Sequence, residues 1–459
     1  MEPISITTNK PDPIRLMAQR RAKTKEKQLG LIKKGIWLYI LLVIFEGALR
    51  KWFLPFLASP LLVVRDPIAL WLIFTAINQD FFKPPSMVKW VWGIGLFSLL
   101  FTMLLGHRNL FVALFGARIL LLHFSLAFLI GQVFIREDVV KVGKCLLWIA
   151  IPMTILVFLQ FYSPQSAWVN RGVGGDEEGA GFSGAMGFMR PPGTFSFTNG
   201  LSTFYAFVAP FIFYFWLNPK EKMNKIILMA ASGALAIAIP LSISRSLFFN
   251  VCLICLFVLL ALSRNPKFLK NILFAALGLG IVLLVVVKSG SFNESLEVFT
   301  TRFDKANDAE GGLEGVFMDR FLGGMYSAIF KSKGLPFFGY GLGMGTNAGA
   351  VMLSGRATFL IAEGEWGRMI GEAGPILGLM IIFIRLLLAG NIALNSYKYM
   401  VKGDLLPWLL LSTGLIVISQ GGWGQPTSLG FFVLYTGLLL ACTKRPKWKR
   451  KIIRAGNNG

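Results

Sequence analysis

Residues 109–133 read NLFVALFGARILLLHFSLAFLIGQV, and the few polar residues of this run include Arg118 and His123. A helix needs about 20 mostly apolar residues to cross the hydrocarbon core of a bilayer, which is about 30 Å thick. Similar runs recur along most of the 459-residue chain, which is 55% hydrophobic and has a mean hydropathy of +0.63. This composition excludes a soluble globular domain of the same size and predicts an integral membrane protein.

The spacing of the apolar runs predicts an all-α integral membrane protein with about 12 transmembrane helices. The predicted helices cover residues 36–54, 60–78, 88–106, 109–133, 138–162, 199–217, 226–242, 246–262, 271–287, 374–394, 405–421 and 427–442. Residues 163–198 are predicted as an outer loop, and residues 288–373 as a large outer loop that contains helices of its own. The chain therefore divides into a basic tail (1–35), a first set of helices (36–287), the large loop (288–373), a second set of helices (374–442) and a second basic tail (443–459).

The formal net charge of the chain is +23, and the cations lie between the apolar runs rather than in a nucleic-acid-binding motif. Roughly 29 Lys and Arg residues fall in one set of alternating connections, and about four fall in the short connections of the other set. Because cytoplasmic segments of membrane proteins are enriched in Lys and Arg, the more basic set is predicted to be cytoplasmic. We therefore expect both termini in the cytoplasm, contacts with membrane lipids and no binding of nucleic acid.

Two arginines lie at the predicted outer ends of membrane helices: Arg190 in RPPGTFSFTNG and Arg245 in SISRS. A cation close to the bilayer is costly, and a guanidinium can bind a phosphate through two parallel hydrogen bonds. The two arginines therefore predict a site for an anionic lipid headgroup such as a pyrophosphate. The alternatives are that Arg190 extends to lipid phosphates at the interface and that the turn of Arg245 only caps a helical hairpin.

Other arginines lie near or within the same membrane layer, and neighbouring carboxylates in the sequence suggest partners for some of them. Arg65 precedes Asp66 directly, which suggests a self-neutralising pair, and Arg118 lies deeper in its helix. Glu46 and Arg50 have the i,i+4 spacing of an ion pair on one helix face. These arginines are candidates both for structural pairs and for ligand contacts.

The segment AEGEWGRMIGEAGPILGL, residues 362–379, brings three glutamates and an arginine to the end of the large predicted loop. On a helix Glu365 and Arg368, and likewise Arg368 and Glu372, would be neighbours and would form ion pairs. Glu363 is further from a cation and is free to act as a general base. We therefore predict Glu363 as a catalytic residue.

The order of these features resembles the O-antigen ligase and polymerase family of bacterial envelope glycosyltransferases. The resemblance covers roughly residues 36–442, and it rests on four sequence features. They are RPPGTFSFTNGLS before a helix, the S-x-S-R turn at 242–245, the large loop with FFGYGLGMG, and EAGPILGL at the start of the next helix. It implies a GT-C-like membrane fold in the bacterial inner membrane.

The resemblance also implies a reaction: transfer of a glycan from an undecaprenyl-pyrophosphate donor to an acceptor hydroxyl at the outer face, without a metal or another cofactor. Arg190 and Arg245 would bind the pyrophosphate and stabilise the leaving group. We further predict that Arg65, Arg118 and Arg368 contact the pyrophosphate or the glycan. The expected partners are the lipid-linked oligosaccharide donor, a glycan or lipid acceptor, and polysaccharide export or assembly proteins.

The chain departs from the family where many members have a histidine about nine residues before the glutamate of the E-x-G motif. The corresponding residue here is Glu363. A carboxylate can also accept a proton from a hydroxyl, so base catalysis stays possible with a different pH dependence.

Three functions stay open at this point. The first is a glycosyltransferase, either a surface or exopolysaccharide polymerase or an O-antigen ligase. The second is a transporter or flippase of an anionic solute or a lipid-linked glycan, with Arg118, His123 and Arg385 along its path. The third is a scaffold without catalytic activity, in which Arg190 and Arg245 would be dispensable.

Overall fold

In the computed structural model, the described residues are 13–264, 266, 269–270, 273, 280, 290–310, 326, 334–356, 358–362 and 364–443. The basic tail beyond residue 443 and nearly all of the predicted helix 271–287 lie outside these residues. The predicted base Glu363 also lies outside them, as does much of the large predicted loop.

The described part of the chain is almost entirely helical. Its α-helices are α1 (Pro13–Ala48), α2 (Ala58–Leu61), α3 (Arg65–Asn78), α4 (Ser86–Leu104), α5 (Leu110–Arg118), α6 (Phe124–Val133), α7 (Arg136–Tyr162), α8 (Thr198–Leu217), α9 (Lys225–Leu241), α10 (Arg245–Arg264), α11 (Gly290–Glu310), α12 (Asn347–Ser354), α13 (Glu365–Val401), α14 (Leu406–Gln420) and α15 (Pro426–Thr443). π-Helical turns follow α1 (Leu49–Phe53) and join α5 to α6 (Ile119–His123), and short 3₁₀ turns lie at Pro55–Leu57 and Trp168–Asn170. A small antiparallel hairpin consists of β1 (Phe182–Ser183) and β2 (Met189–Arg190).

The helices confirm a multi-pass membrane protein. Among the described residues, 8 helices are long and apolar enough to cross a bilayer, or 9 if the pair Pro55–Leu61 and Arg65–Asn78, bent by 41°, counts as one span. Helices α9 and α14 are apolar but shorter. Each predicted span other than 271–287 coincides with one of these helices. The predicted total of about twelve spans is not confirmed.

Helix α1 begins much earlier than the sequence predicts. Residues 13–35 were expected in a basic tail, but they continue the membrane helix in the N-terminal direction as far as Pro13. This stretch is rich in Lys, Arg, Gln, Ala and Leu, which have high helix propensity, and a helix that is already nucleated extends readily into such residues.

At one end of the bundle, the segments predicted as cytoplasmic contact one another. Arg136, at the start of α7, forms ion pairs with Glu221 at 2.9 Å and with Asp404 at 2.8 Å. Lys33 of α1 lies 2.5 Å from Asp138. The connections before α7, α9 and α14 therefore lie at the same end of the bundle.

At the other end, the segments predicted as outer contact one another. Nη1 of Arg50 donates to Ser196 at 3.1 Å, and Nζ of Lys51 donates to the carbonyl of Gly193 at 2.6 Å. His107, in the turn between α4 and α5, has Nε2 at 3.0 Å from the carbonyl of Leu342. These contacts agree with the predicted grouping of the connections at two opposite ends of the bundle. The assignment of one end to the outer face of the membrane stays a prediction.

The outer loop before α8 crosses the backbone of α1 directly. Oγ1 of Thr194 donates to the carbonyl of Ile44 at 2.6 Å. A Cβ atom added to Gly47 would overlap the backbone of Thr194, Phe195 and Ser196. Only glycine leaves room for this crossing, so the end of α1 fixes the position of the loop that follows Arg190.

The glycine-rich segment 339–345 packs between two helices in a similar way. Gly343 adopts a left-handed backbone with φ of 86°, and its amide contacts Gly116 of α5 closely enough to exclude a Cβ there. Gly374 interrupts α13 with φ of 82°, and a side chain at this position would overlap the carbonyl of Phe337. These glycines are required for close backbone contacts and for positive φ angles.

We expect Gly47→Ala to destabilise the protein, because overpacking a backbone contact costs about 2 kcal/mol. The unfolding midpoint in detergent should fall by about 4 °C or more. Gly93→Ala in α4 is the matched control, since nothing lies within 4 Å of a Cβ at Gly93. An equal midpoint for the two variants would contradict the crossing of α1 by the outer loop.

Cysteine labelling tests the predicted orientation. In a background without the natural cysteines, Glu177→Cys should react with a membrane-impermeant maleimide in intact spheroplasts. Lys222→Cys should react only after permeabilisation, because the connection before α9 is predicted to be cytoplasmic. The reversed pattern, or labelling of both positions from one face, would contradict this orientation.

Candidate functional site

Arg190 is the last residue of β2 and lies opposite Phe182 in the hairpin. Its side chain is half-buried, and its Nε atom is buried without a hydrogen-bond partner. A buried donor without a partner is costly, so such groups are rare in folded proteins. The guanidinium of Arg190 is therefore suited to an acceptor that comes from a ligand.

The loop after Arg190 is fixed by three side chains. The amide of Gly193 donates to Oε1 of Gln160 at 2.8 Å, and its carbonyl accepts from Nε2 of Gln160 at 3.2 Å. Lys51, whose side chain is fully buried, donates to the same carbonyl. With Thr194 bound to α1, these contacts hold the end of the hairpin against the membrane helices.

Arg245 is the first residue of α10 and follows a strained turn. Ile243 has φ of 46°, which is a strained conformation for a β-branched residue. Oγ of Ser244 accepts from the amide of Leu247 at 3.3 Å and from Oγ of Ser202 in α8 at 2.8 Å. The turn of Arg245 is thereby tied to the helix that follows the loop of Arg190.

A third arginine, Arg302 of α11, lies beside the same hairpin. Its Nη1 atom donates to the carbonyl of Gly184 at 3.2 Å, next to β1. Burial lowers the pKa of the Arg190 guanidinium, and the like charges of Arg302 and Arg245 lower this pKa further. The charges of Arg302 and Arg245 therefore act repulsively on the guanidinium of Arg190, and an anion beside Arg190 would relieve this repulsion.

The predicted pair of Arg65 and Asp66 is not present in the structure. Arg65 instead lies 2.9 Å from Glu46 of α1, which also forms the predicted pair with Arg50 at 3.6 Å. Neighbouring residues on a helix point about 100° apart, so Arg65 and Asp66 contact different neighbouring helices.

Asp66 forms an ion pair with Arg118, which the sequence analysis predicts as a contact of the pyrophosphate or the glycan. Nη1 of Arg118 donates to the two carboxylate oxygens of Asp66 at 2.8 and 2.9 Å. Nε2 of His123 lies 2.8 Å from the same carboxylate, and Nδ1 of His123 lies 3.0 Å from the hydroxyl of Tyr39. This network joins α1, α3 and the π-helical turn.

Arg368, which is also predicted as a contact of the pyrophosphate or the glycan, forms the ion pairs that its spacing from Glu365 and Glu372 predicts. It lies 2.7 Å from Glu365 and 2.5 Å from Glu372. Glu365 is also 3.4 Å from Arg385, which is completely buried and lies over the ring of Trp423. All these side chains are buried, so their charges largely cancel within the cluster.

The arginines in and around the predicted site differ in whether they have a carboxylate partner. Arg65, Arg118 and Arg368 have carboxylate partners. Within the described part of the chain, no carboxylate forms an ion pair with Arg190 or Arg302. The structure therefore brings Arg190 and Arg245 into one region and adds Arg302, which the sequence analysis missed. One available signal was the spacing of Phe299 and Phe303, which indicates a packed helix face around Arg302.

Exposed aromatic side chains lie beside Arg190. Phe182 is 49% exposed and Phe197 is 47% exposed, and their ring centroids are 5.5 Å apart. Phe182 is the cross-strand partner of Arg190. An apolar surface next to the guanidinium of Arg190 fits an anion that carries a hydrocarbon chain.

Comparisons with models of known protein families, with curated proteins and with solved structures find no match to this chain. The resemblance to the O-antigen ligase and polymerase family therefore stays a prediction. A function for the chain has to be argued from the site itself.

We expect Asp66→Asn to destabilise the protein strongly, because it leaves Arg118 without its counter-ion. Breaking a buried ion pair costs about 3 kcal/mol or more, so the unfolding midpoint should fall clearly. Asp80→Asn is the control, since Asp80 is exposed and pairs with Lys83 at only 3.8 Å. A stable Asp66→Asn variant that binds anionic lipid more tightly would show instead that Arg118 is available to a ligand.

Proposed function

We propose that this protein is a metal-independent glycosyltransferase whose donor is a glycan linked to undecaprenyl pyrophosphate. The observation that carries the proposal is the half-buried guanidinium of Arg190, which lacks a carboxylate partner among the described residues and is repelled by Arg245 and Arg302. The other buried arginines in the described part of the chain have carboxylate partners, so the guanidinium of Arg190 is best explained by an anionic ligand.

The surroundings of the cluster support a lipid as the carrier of that anion. The cluster lies at the end of the bundle where α8 and α10 begin, next to the exposed rings of Phe182 and Phe197. A polyprenyl pyrophosphate has a charged head at the membrane surface and an apolar chain in the bilayer. Its two parts match the guanidinium groups and the aromatic surface.

In the proposed reaction, an acceptor hydroxyl attacks the anomeric carbon of the donor glycan. A new glycosidic C–O bond forms, and the C–O bond to the pyrophosphate breaks. The proton of the hydroxyl passes to a base, and the negative charge of the leaving pyrophosphate increases. Arg190 and Arg245 would stabilise this increase through charge-assisted hydrogen bonds. Glu363 stays the predicted base.

The proposal gives different roles to the other predicted binding arginines. Arg65, Arg118 and Arg368 have carboxylate partners. Breaking one of these ion pairs to bind a ligand would raise the free energy by more than the new contact would lower it. In this account they position α1, α3 and α13 around the site. Their direct contact with pyrophosphate or glycan is not part of the proposal.

Polymerase and ligase activities remain alternatives within the proposal, because both use the same donor chemistry. A polymerase would lengthen a glycan on its lipid carrier, and a ligase would move the finished glycan to a different acceptor. Transport is the alternative from another class. Arg118 and His123 belong to one network with Asp66, and Arg385 belongs to another with Glu365. Because these residues contact protein partners in two separate networks, they do not favour a common transport path.

We expect Arg190→Ala and Arg245→Ala each to reduce glycan transfer by at least about 100-fold, because each removes a donor that stabilises the leaving group. The measurement is transfer by purified protein in nanodiscs from an undecaprenyl-pyrophosphate oligosaccharide. Arg108→Ala is the matched control, since Arg108 is exposed in another predicted outer turn and its side chain donates to the carbonyl of Leu104 in the adjacent helix α4.

Normal transfer by folded Arg190→Ala protein would remove the proposed site. Movement of the intact lipid-linked glycan across the bilayer without any transfer would favour a flippase. A longer glycan on the carrier identifies a polymerase, and free carrier with the glycan on another acceptor identifies a ligase.

A further inference from the structure

An exposed tryptophan, Trp168, lies in the predicted outer loop 163–198, ahead of the hairpin that carries Arg190. Its indole stacks on that of Trp52, with ring centroids 5.6 Å apart and ring planes inclined by 26°. Nε1 of Trp52 also donates to the backbone carbonyl of Trp168 at 3.0 Å. Trp168 is still 54% exposed in this arrangement, so the face of its indole away from Trp52 is accessible.

The turn that carries Trp168 is fixed by polar side chains. Nδ2 of Asn170 donates to the backbone carbonyl of Gln160 at 3.0 Å, and Nε2 of Gln160 donates to the carbonyl of Val169 at 2.8 Å. The same Gln160 amide group binds the backbone of Gly193 in the loop after β2. The indole is therefore held in place before a ligand arrives, and a ligand that stacks on it does not have to order the turn.

The turn of Trp168 lies beside the hairpin. The backbone amide of Ala180 donates to the carbonyl of Asn170 at 2.7 Å, and Phe182, two residues further on, lies opposite Arg190. Two residues of extended chain span at most about 7 Å, and paired strands lie about 5 Å apart, so the turn is on the order of 10 Å from β2. A short sugar chain attached to a pyrophosphate at Arg190 reaches this distance.

A sugar ring fits the exposed face of this indole. The face of an aromatic ring is the negative end of its quadrupole, and the C–H groups of a sugar are polarised by the neighbouring oxygens, so the two surfaces attract each other. The hydroxyl groups of the sugar need polar partners, and the same loop offers Arg171 and Glu177, which lie 3.1 Å apart. A guanidinium donates and a carboxylate accepts hydrogen bonds, and a hydroxyl does both.

Tryptophan is also common where membrane helices meet the lipid headgroups, which is the alternative explanation for an exposed indole. Three consecutive acidic residues, 176–178, are exposed in the loop that continues from the turn, and the amide of Gly172 donates to the carbonyl of Asp176 at 2.7 Å. Lipid phosphates repel carboxylates, whereas the hydroxyl groups of a sugar donate hydrogen bonds to them. The surroundings of Trp168 therefore favour a glycan over a layer of lipid headgroups.

We propose that Trp168 forms a subsite for the glycan of the lipid-linked donor, in which a sugar beyond the first one stacks on the exposed face of its indole. The inference rests on the proposed function for the identity of the ligand, because the pyrophosphate of the donor is placed at Arg190. Trp168 contacts the glycan, and Trp52 is a positioning residue that holds the indole through the stack. The subsite binds the sugar chain and takes no part in the bonds that form and break, so it selects donors by the length of their glycan.

The experiment measures binding of two donors to the full chain in nanodiscs. One is undecaprenyl pyrophosphate with a single N-acetylglucosamine, and the other is the same lipid with a β-linked N-acetylglucosamine oligosaccharide. The wild-type protein should bind the oligosaccharide donor about fivefold to tenfold more tightly, the effect of one aromatic stacking contact. Trp168→Ala should lose this preference and bind the single-sugar donor within about twofold of the wild-type protein. Trp168→Phe keeps a flat aromatic ring and should retain part of the preference.

Trp90→Ala is the control for loss of an exposed indole, because Trp90 is 64% exposed near the predicted inner end of α4, and it should keep the full preference. Equal binding of the two donors by the wild-type protein would overturn the subsite and leave the proposed pyrophosphate site intact. An equal loss of both donors in folded Trp168→Ala protein would also overturn it, since the indole would then support the loop without contacting the glycan. A preference that depends on Trp168, without any glycan transfer, would support the subsite and contradict the proposed enzyme. Binding of neither donor would overturn both.

Discussion

A buried arginine in a membrane protein is costly without a counter-ion, and this cost organises much of the structure. Arg118 is neutralised by Asp66, Arg65 by Glu46, and Arg368 by Glu365 and Glu372. Each of these pairs also joins separate parts of the chain or stabilises the start of a helix, so the charges hold the bundle together. Within the described part of the chain, Arg190 and Arg302 form no ion pair with a carboxylate. This difference separates the candidate site from the structural ion pairs.

The site depends on the fold through the loop that follows Arg190. Gln160 and Lys51 fix the backbone of Gly193, and Thr194 holds the loop against α1 where Gly47 allows the two backbones to cross closely. The hydroxyl of Ser202 then connects α8 to the turn of Arg245. In a rigid arrangement of this kind, the free-energy cost of placing like charges together is part of folding. Ligand binding then does not have to supply it.

The sequence predicts the parts of this protein that depend on local patterns. Apolar runs locate the membrane helices, and the spacing of Glu365, Arg368 and Glu372 predicts their ion pairs. Local patterns do not predict contacts between helices, so Arg65 was paired with Asp66 although its partner is Glu46. The same limit applies to Arg302, which lies in a polar segment and reaches the site because α11 packs on α9 and its phenylalanines contact those of α10. The early start of α1 follows from propensity, which a hydropathy pattern does not measure.

The most direct measurement is a cryo-electron microscopy structure of the protein in nanodiscs with undecaprenyl pyrophosphate. The account predicts density for the two phosphates within hydrogen-bond distance of the guanidinium groups of Arg190 and Arg245, with the lipid chain beside Phe182 and Phe197. The ion pairs of Arg65, Arg118 and Arg368 should be unchanged. Phosphate density bound to any of those three arginines, with Arg190 left without a ligand, would contradict the account.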